Sequence, residues 1–193
     1  MTKEDFSPEH INDFFPAHED IFITPTGSYY WFNGIEGFEP HDYDYVRLIK
    51  GEEYNVAKSH YMYMDVWDIV YDESKSKQDY INYIVNCARE NHLGSAFLCI
   101  LMKPICDHFG IVYEDIEPYI DEIIALIEEK TATRIKYKYH IKLVNFIKQN
   151  RSFELTSEQR LEVYEDYKYW KSQYQEYIRT TSELINKIND VEN

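Results

Sequence analysis

The C-terminal quarter of the chain carries the pattern that most restricts its fold. Thr156 and Gln159 have the spacing of a capping box, in which two side chains bind the free backbone amides at a helix start. After this box, residues recur at alternating steps of four and three, the heptad repeat of a coiled coil or helical bundle. All but one are apolar or aromatic: Val163, Tyr167, Trp170, Tyr174, Tyr177, Thr181, Leu184, Ile188 and Val191. The sequence therefore predicts one long helix with an apolar stripe.

The length of this helix limits how it is used. Residues 156–191 would span about 54 Å as a helix, whereas a compact chain of this length is about 40 Å across. Tyrosine and tryptophan fit poorly into a narrow dimeric seam, so we expect the stripe to pack on the protein's own helices. The alternative is a homodimer through this helix, with an oligomer seam at Tyr167, Trp170, Tyr174, Tyr177, Leu184 and Ile188.

Further helices are predicted in the middle of the chain. Ser76 and Asp79 have the spacing of a helix start, and glycine ends this helix near Gly94. Ser95 starts a second helix that ends at Gly110. A third follows from apolar residues at helical spacing on one face, namely Ile116, Ile120, Ile123, Ile124 and Ile127.

The first 73 residues have a less regular pattern. A short helix is expected from Ser7 to about Phe15. Residues 21–24 and 28–33 flank Pro25-Thr26-Gly27, which predicts a β-hairpin with glycine at its turn. Residues 60–71 are rich in tyrosine and β-branched side chains, which favours a strand. Their continuity with the preceding residues favours a helix, which is the interpretation that we adopt.

Together these signals predict a mainly α fold. We expect a helical bundle with a small N-terminal region that is a β-hairpin or irregular, and an α+β fold is the alternative. Residues 1–73 form an acidic, aromatic-rich region, and residues 74–193 form the bundle that ends in the heptad-patterned helix.

Net charge restricts the partners. The chain carries −15 in total, and residues 1–73 alone carry −12. Nucleic acids and anionic membranes are polyanions, so we expect direct binding to neither. A basic protein, such as one that itself binds nucleic acid, is the expected partner.

One stretch, residues 130–151, is cationic instead. Residues 134–143 within it alternate as a strand would, yet the same residues also give a helical stripe. The favoured interpretation is a surface that neutralises the acidic residues 111–129. The alternative is an anion-binding site formed by Arg134, Lys136, Lys138 and Lys142.

Cellular setting follows from three features. No run of about 18 apolar residues occurs, the first residues are acidic rather than apolar, and the three cysteines are too few for a disulfide framework. We therefore expect a soluble protein in the cytoplasm, either of its own cell or of the host cell of a virus.

Catalytic and cofactor signatures are weak. Cys87, His92, Cys99, Cys106 and His108 fall within 22 residues but lack the paired short spacings of a zinc site. We expect no metal, no cofactor and no enzymatic activity. An enzyme with a carboxylate or Cys/His site that sequence motifs do not reveal is an alternative.

The expected binding surface is an aromatic run surrounded by acids. Aromatic side chains commonly dominate binding energy, and acids around them select a basic partner. Its members are Tyr29, Tyr30, Trp31, Phe32, Glu36, Glu39, Asp42 and Asp44. The resulting hypothesis is an inhibitor, either a viral counter-defence protein that mimics nucleic acid or an immunity protein that neutralises a toxin. A helical assembly protein is the other alternative.

Overall fold

A computed structural model describes residues 1–90 and 103–191 of the chain, with side chains up to residue 185. The fold is α+β: a four-stranded mixed sheet followed by helices. The strands are β1 (Ile21–Thr26), β2 (Tyr43–Lys50), β3 (Asn55–Tyr61) and β4 (Met64–Tyr71). Their order is β1-β2-β4-β3, with β2 and β4 parallel and both outer pairs antiparallel.

Helices account for most of the remaining described residues. They are α1 (Ile11–Phe14), α2 (Gly27–Phe32), α3 (Lys77–Arg89), α4 (described over 103–109), α5 (Tyr113–Ile116), α6 (Ile120–Thr131), α7 (Tyr139–Asn150) and α8 (Ser157–Val191). Short 3-10 turns occur at Lys3–Phe6, Glu117–Tyr119 and Ile135–Tyr137. None of the helices in the described ranges combines the length and the apolar character needed to cross a membrane.

The central strands β2 and β4 have buried apolar side chains on both faces, as strands covered on both sides do, although each also contains charged residues such as Arg47 and Asp68. On one face, four of their side chains pack against the helices: Val46, Leu48, Trp67 and Ile69. On the other face they pack against the N-terminal residues Phe6 and Ile11 through Tyr43, Tyr45, Met64 and Val66. The sheet thus lies between the helices and the N-terminal segment.

The larger core contains residues from both regions that the sequence suggests, residues 1–73 and residues 74–193. Phe32 and Leu48, from the first 73 residues, belong to the same buried cluster as Ile127, Leu143 and Val163 from the helices. Residues 1–73 therefore share this larger core with the helices, and they also contain the smaller cluster around Tyr45 on the other face of the sheet.

The predicted N-terminal hairpin is wrong. β1 forms as expected, but Gly27–Phe32 is helical, and β1 pairs with β2 instead. Gly27 has φ +66°, a left-handed conformation that glycine adopts at little cost, and this redirects the chain into α2. Helix α2 then buries Trp31 and Phe32, which local strand preference does not anticipate.

The helical interpretation of residues 60–71 is also wrong. β3 ends at Tyr61 and β4 begins at Met64, so this stretch forms an antiparallel hairpin. The tyrosine and β-branched content was the correct signal. In β4, Val66 and Trp67 point to opposite faces, and both are buried.

The helical predictions for the second half fare better. Ser76 and Asp79 form the expected cap, with a 3.2 Å bond from the Asp79 amide to Ser76 Oγ. The ambiguous residues 134–143 are helical, as a 3-10 turn and the start of α7. The helix end near Gly94 and the helix start at Ser95 lie outside the described residues.

The long C-terminal helix is confirmed as α8, a single helix of 35 residues. Its capping box is formed as predicted. The Gln159 amide donates to Thr156 Oγ1 at 3.1 Å, and the Thr156 amide donates to Gln159 Oε1 at 3.0 Å.

Candidate binding surface

The aromatic run of the predicted surface lies on α2 and is divided between core and surface. A Cβ atom at Gly27 would lie 2.2 Å from Asp44 Oδ2, so only glycine fits at the start of this helix. From there α2 directs Trp31 and Phe32 inward, with exposed fractions of 5% and 0%. Tyr29 and Tyr30 are half-buried. The four side chains therefore do not form a single exposed aromatic anchor.

Phe32 instead fixes α2 to the C-terminal helix. Its ring centroid lies 5.3 Å from that of Tyr164 and 5.1 Å from that of Tyr167, both on α8. The rings of Phe38 and Tyr139 lie at 5.8 and 5.9 Å. Aromatic rings at these separations attract each other in addition to burying area. The segment that follows α2 therefore starts from a fixed position.

That segment, residues 33–42, joins α2 to β2, and we call it the acidic loop. Arg160 of α8 holds the end of α2 and the loop's first residue. Its Nε donates to the Trp31 carbonyl and its Nη2 to the Asn33 carbonyl, both at 3.0 Å. Tyr164 Oη donates to the Gly37 carbonyl at 3.2 Å. The loop backbone is thus bound to α8 at two carbonyl groups, and the end of α2 is bound at a third.

Arg160 was not identified from the sequence, although a signal for it existed. It lies seven residues before Tyr167, so it occupies a stripe position of the heptad pattern. A charged residue in an apolar stripe needs a polar partner. Two backbone carbonyl groups provide it.

The carboxylates of the acidic loop face water. Glu36 and Glu39 are exposed, and neither has a cationic partner within 4.0 Å in the described part of the chain. Acids on the sheet behave differently. Asp68 accepts two hydrogen bonds from Arg47, each 2.6 Å long, and Asp65 lies 2.5 Å from Lys58. The loop is therefore a place where negative charge is left without internal compensation.

Asp42 and Asp44 are less available than the two glutamates, since both are at most half-exposed. Burial raises the pKa of Asp44 to about 7, with the charges of Asp42 and Asp65 adding to the effect. The positive charges of Lys58 and Lys136 lower the pKa of Asp44 in part. Near neutral pH Asp44 is therefore only partly ionised, and it contributes less charge to a partner than Glu36 or Glu39.

The candidate anion-binding lysines contact α8. Lys136 Nζ lies 5.4 Å from the centre of the Tyr174 ring, and Lys138 Nζ lies 4.6 Å from that of the Trp170 indole. Lys142 Nζ is 3.4 Å from Asp166 Oδ1. Cation–π and ionic contacts of this kind attach the cationic stretch to the helix. Arg134, the fourth member of the predicted site, is exposed.

The predicted oligomer seam changes character along α8. Tyr167, Trp170 and Tyr174 are half-buried against the rest of the protein. Tyr177 and Leu184 have exposed fractions of 62% and 57%. The side chain of Ile188 lies outside the described residues.

The candidate Cys/His residues are dispersed or buried. Cys87 and Cys106 are buried free thiols, and burial raises the pKa of Cys106, so this thiol stays protonated. His108 stacks on Phe22, with ring centroids 4.8 Å apart. His92 and Cys99 lie outside the described residues. Among the described side chains of residues 1–90 and 103–185, no three His, Cys, Asp or Glu are grouped as metal ligands would be.

Comparisons with known proteins give no further guide to this surface. No protein-family model, no curated protein and no solved structure matches the chain. Its function has to be argued from the geometry and charge of its own residues.

Proposed function

We propose that this protein is a non-enzymatic binding protein that docks on a basic partner through the acidic loop and inhibits that partner. One observation carries the proposal. The backbone is held by Arg160 and Tyr164 at one carbonyl group of α2 and two of the loop, while the carboxylates of Glu36 and Glu39 are exposed with no cationic partner among the described residues. A loop that is ordered before binding loses little conformational entropy when it docks.

The net charge of the whole protein supports a partner with a positively charged surface. A net charge of −15 attracts a basic surface over a Debye length of about 8 Å at physiological salt and accelerates encounter. In the proposed complex, the carboxylates of the loop take the place of phosphates on the surface of a nucleic-acid-binding protein. They equally match a basic toxin surface. A nucleic-acid mimic of viral counter-defence and an immunity protein are the two versions of this proposal, acting in the cytoplasm.

The proposal predicts that the loop carboxylates control affinity. The partner is first isolated by capture with the full chain, and its affinity is then measured for the full chain and for the variant Glu36→Gln/Glu39→Gln. We expect the two substitutions to weaken binding by about tenfold, or about 1.4 kcal/mol. The matched control is Glu52→Gln/Glu53→Gln, which removes the same charge from the exposed turn between β2 and β3. Affinity that falls equally for both pairs would indicate net charge alone, and unchanged affinity for the loop pair would refute the proposal.

A further variant separates loop geometry from charge. Arg160→Gln makes the protein more acidic but removes the two hydrogen bonds to the Trp31 and Asn33 carbonyls. If the fixed loop matters, this variant binds more weakly despite its extra negative charge. Tighter binding would mean that charge, not the arrangement of the loop, recognises the partner.

A further inference from the structure

Helix α8 continues its apolar stripe beyond the part that packs on the protein. Val163 is almost completely buried, whereas every residue from 175 to 185 is exposed. Four of these exposed residues have large apolar side chains, namely Tyr177, Ile178, Leu184 and Ile185. They occupy two adjacent heptad positions and repeat after seven residues, so they form one continuous face of the helix.

The composition of the stripe changes where the packing on the protein ends. After Val163, the packed part consists of aromatic rings, namely Tyr164, Tyr167, Trp170 and Tyr174. Beyond Tyr177 the large apolar side chains on this face are aliphatic, namely Ile178, Leu184 and Ile185, with Thr181 between them. Aliphatic side chains at these spacings suit the knobs-into-holes packing of two helices. The exposed part is therefore shaped for a helical partner.

Charges on the same segment lie away from the stripe. Arg179 pairs with Glu176 at 2.5 Å and with Glu183 at 2.6 Å, and these three residues follow the opposite side of the helix. The residues that flank the stripe are uncharged: Gln173, Gln175, Thr180 and Ser182. A strongly charged partner would find no complementary charge there, whereas a second, identical apolar stripe is matched.

We propose that this exposed stripe is a homodimer interface, in which residues 177–185 of two copies pack antiparallel. The proposal is independent of the acidic loop and goes beyond the binding function proposed above. Isolated apolar helix faces of this kind are rare on monomers and mark interaction sites.

Charge selects the antiparallel arrangement. Residues 174–191 contain three acids and two bases, so nearly all of the −15 belongs to the rest of the protein. Antiparallel helices place the two acidic bodies at opposite ends, whereas parallel helices would place them side by side, where like charges repel. The helix dipoles also favour the antiparallel pair.

The position of the isoleucines leads to the same arrangement. Ile178 and Ile185 lie on one flank of the stripe, one heptad apart. A two-fold axis perpendicular to the helices brings this flank against itself, so that Ile178 of one copy meets Ile185 of the other. A parallel pair would set these side chains against the polar flank that contains Gln173 and Thr180.

Sedimentation equilibrium of the full chain over a range of concentrations tests the interface. We expect a monomer–dimer equilibrium, with the dissociation constant raised by at least about a hundredfold in Ile178→Glu/Ile185→Glu, because four carboxylates would enter the apolar seam. The control is Arg179→Glu, which changes the charge by the same two units on the opposite side and should leave the dimer intact. Far-UV circular dichroism of both variants checks that α8 remains helical.

A monomer at all concentrations, or a dimer that Ile178→Glu/Ile185→Glu leaves unchanged, would overturn the proposal. Monomeric protein that binds phosphatidylcholine vesicles through the stripe would overturn it as well. Small-angle scattering of the dimer distinguishes the orientations. Antiparallel helices give two separated lobes in the distance distribution, and a single compact peak would contradict that arrangement.

Discussion

Helix α8 has two halves that follow one heptad pattern and meet different surroundings. In the first half, Val163 and Tyr164 are buried and Arg160 anchors the acidic loop. In the second half, residues 175–185 are all exposed, although the stripe contains Leu184 and Ile185. The difference lies in which surface is available to cover the stripe, since the pattern itself continues.

This comparison indicates a division of tasks within a single helix. The first half packs into the core and holds the surface that we propose for a basic partner. The second half adds little to the core and presents the face that we propose for a second copy. Changes in the first half should therefore affect folding, and changes in the second half should affect assembly.

The largest expected effect is on stability, from the ring that joins α2 to the first half of α8. Phe32 is fully buried against Tyr164 and Tyr167, so Phe32→Ala should lower the free energy of unfolding by about 3 to 5 kcal/mol. Leu184→Ala should change it by less than about 0.5 kcal/mol in dilute protein, because this side chain is exposed in a single copy. Urea unfolding of both variants provides the measurement. A loss of similar size in the two variants would remove the distinction between the halves.

The next expected effect is a pH dependence that belongs to the buried core and not to the exposed half of α8. His140 of α7 is completely buried, neither ring nitrogen has a hydrogen-bond partner among the residues that the structure describes, and burial lowers its pKa from 6.5 to about 3. Below pH 6.5 the unfolded chain binds a proton at this residue and the folded chain does not. Stability from His140 is therefore present above pH 6.5 and is lost as the pH falls towards 3.

Between pH 7 and pH 4 this loss should amount to about 3 kcal/mol. His140→Leu removes the titrating group and its unpartnered nitrogens, so it should be at least as stable as the parent at pH 7 and lose less stability on acidification. Urea unfolding at both pH values compares the two proteins. An equal loss of stability in parent and variant would show that His140 does not titrate as its burial requires.

Sequence patterns predicted those elements whose signals are local. The capping box, the heptad repeat of α8 and the Ser76 cap of α3 each involve neighbours within a few residues, and the structure has all three. The arrangement of the helices as a bundle remains a prediction.

The sheet and the acidic loop could not be predicted in the same way. β1 pairs with β2 rather than with residues 28–33, because Gly27 redirects the chain and the core takes up Phe32. Strand register depends on partners that are distant in sequence. The contact from Arg160 to the Trp31 carbonyl spans 129 residues, which no local pattern reports. Glu36 and Glu39 could be identified as exposed acids, but the means by which their loop is held could not.

Amide hydrogen exchange at low and high protein concentration compares the two halves of α8 most directly. Amides in residues 160–170 should be protected equally at both concentrations, because their protection comes from the core of one copy. Amides in residues 175–185 should exchange fast in dilute protein and more slowly in concentrated protein, as the second copy covers the stripe. Fast exchange of residues 175–185 at both concentrations, or protection that does not depend on concentration, would contradict the account.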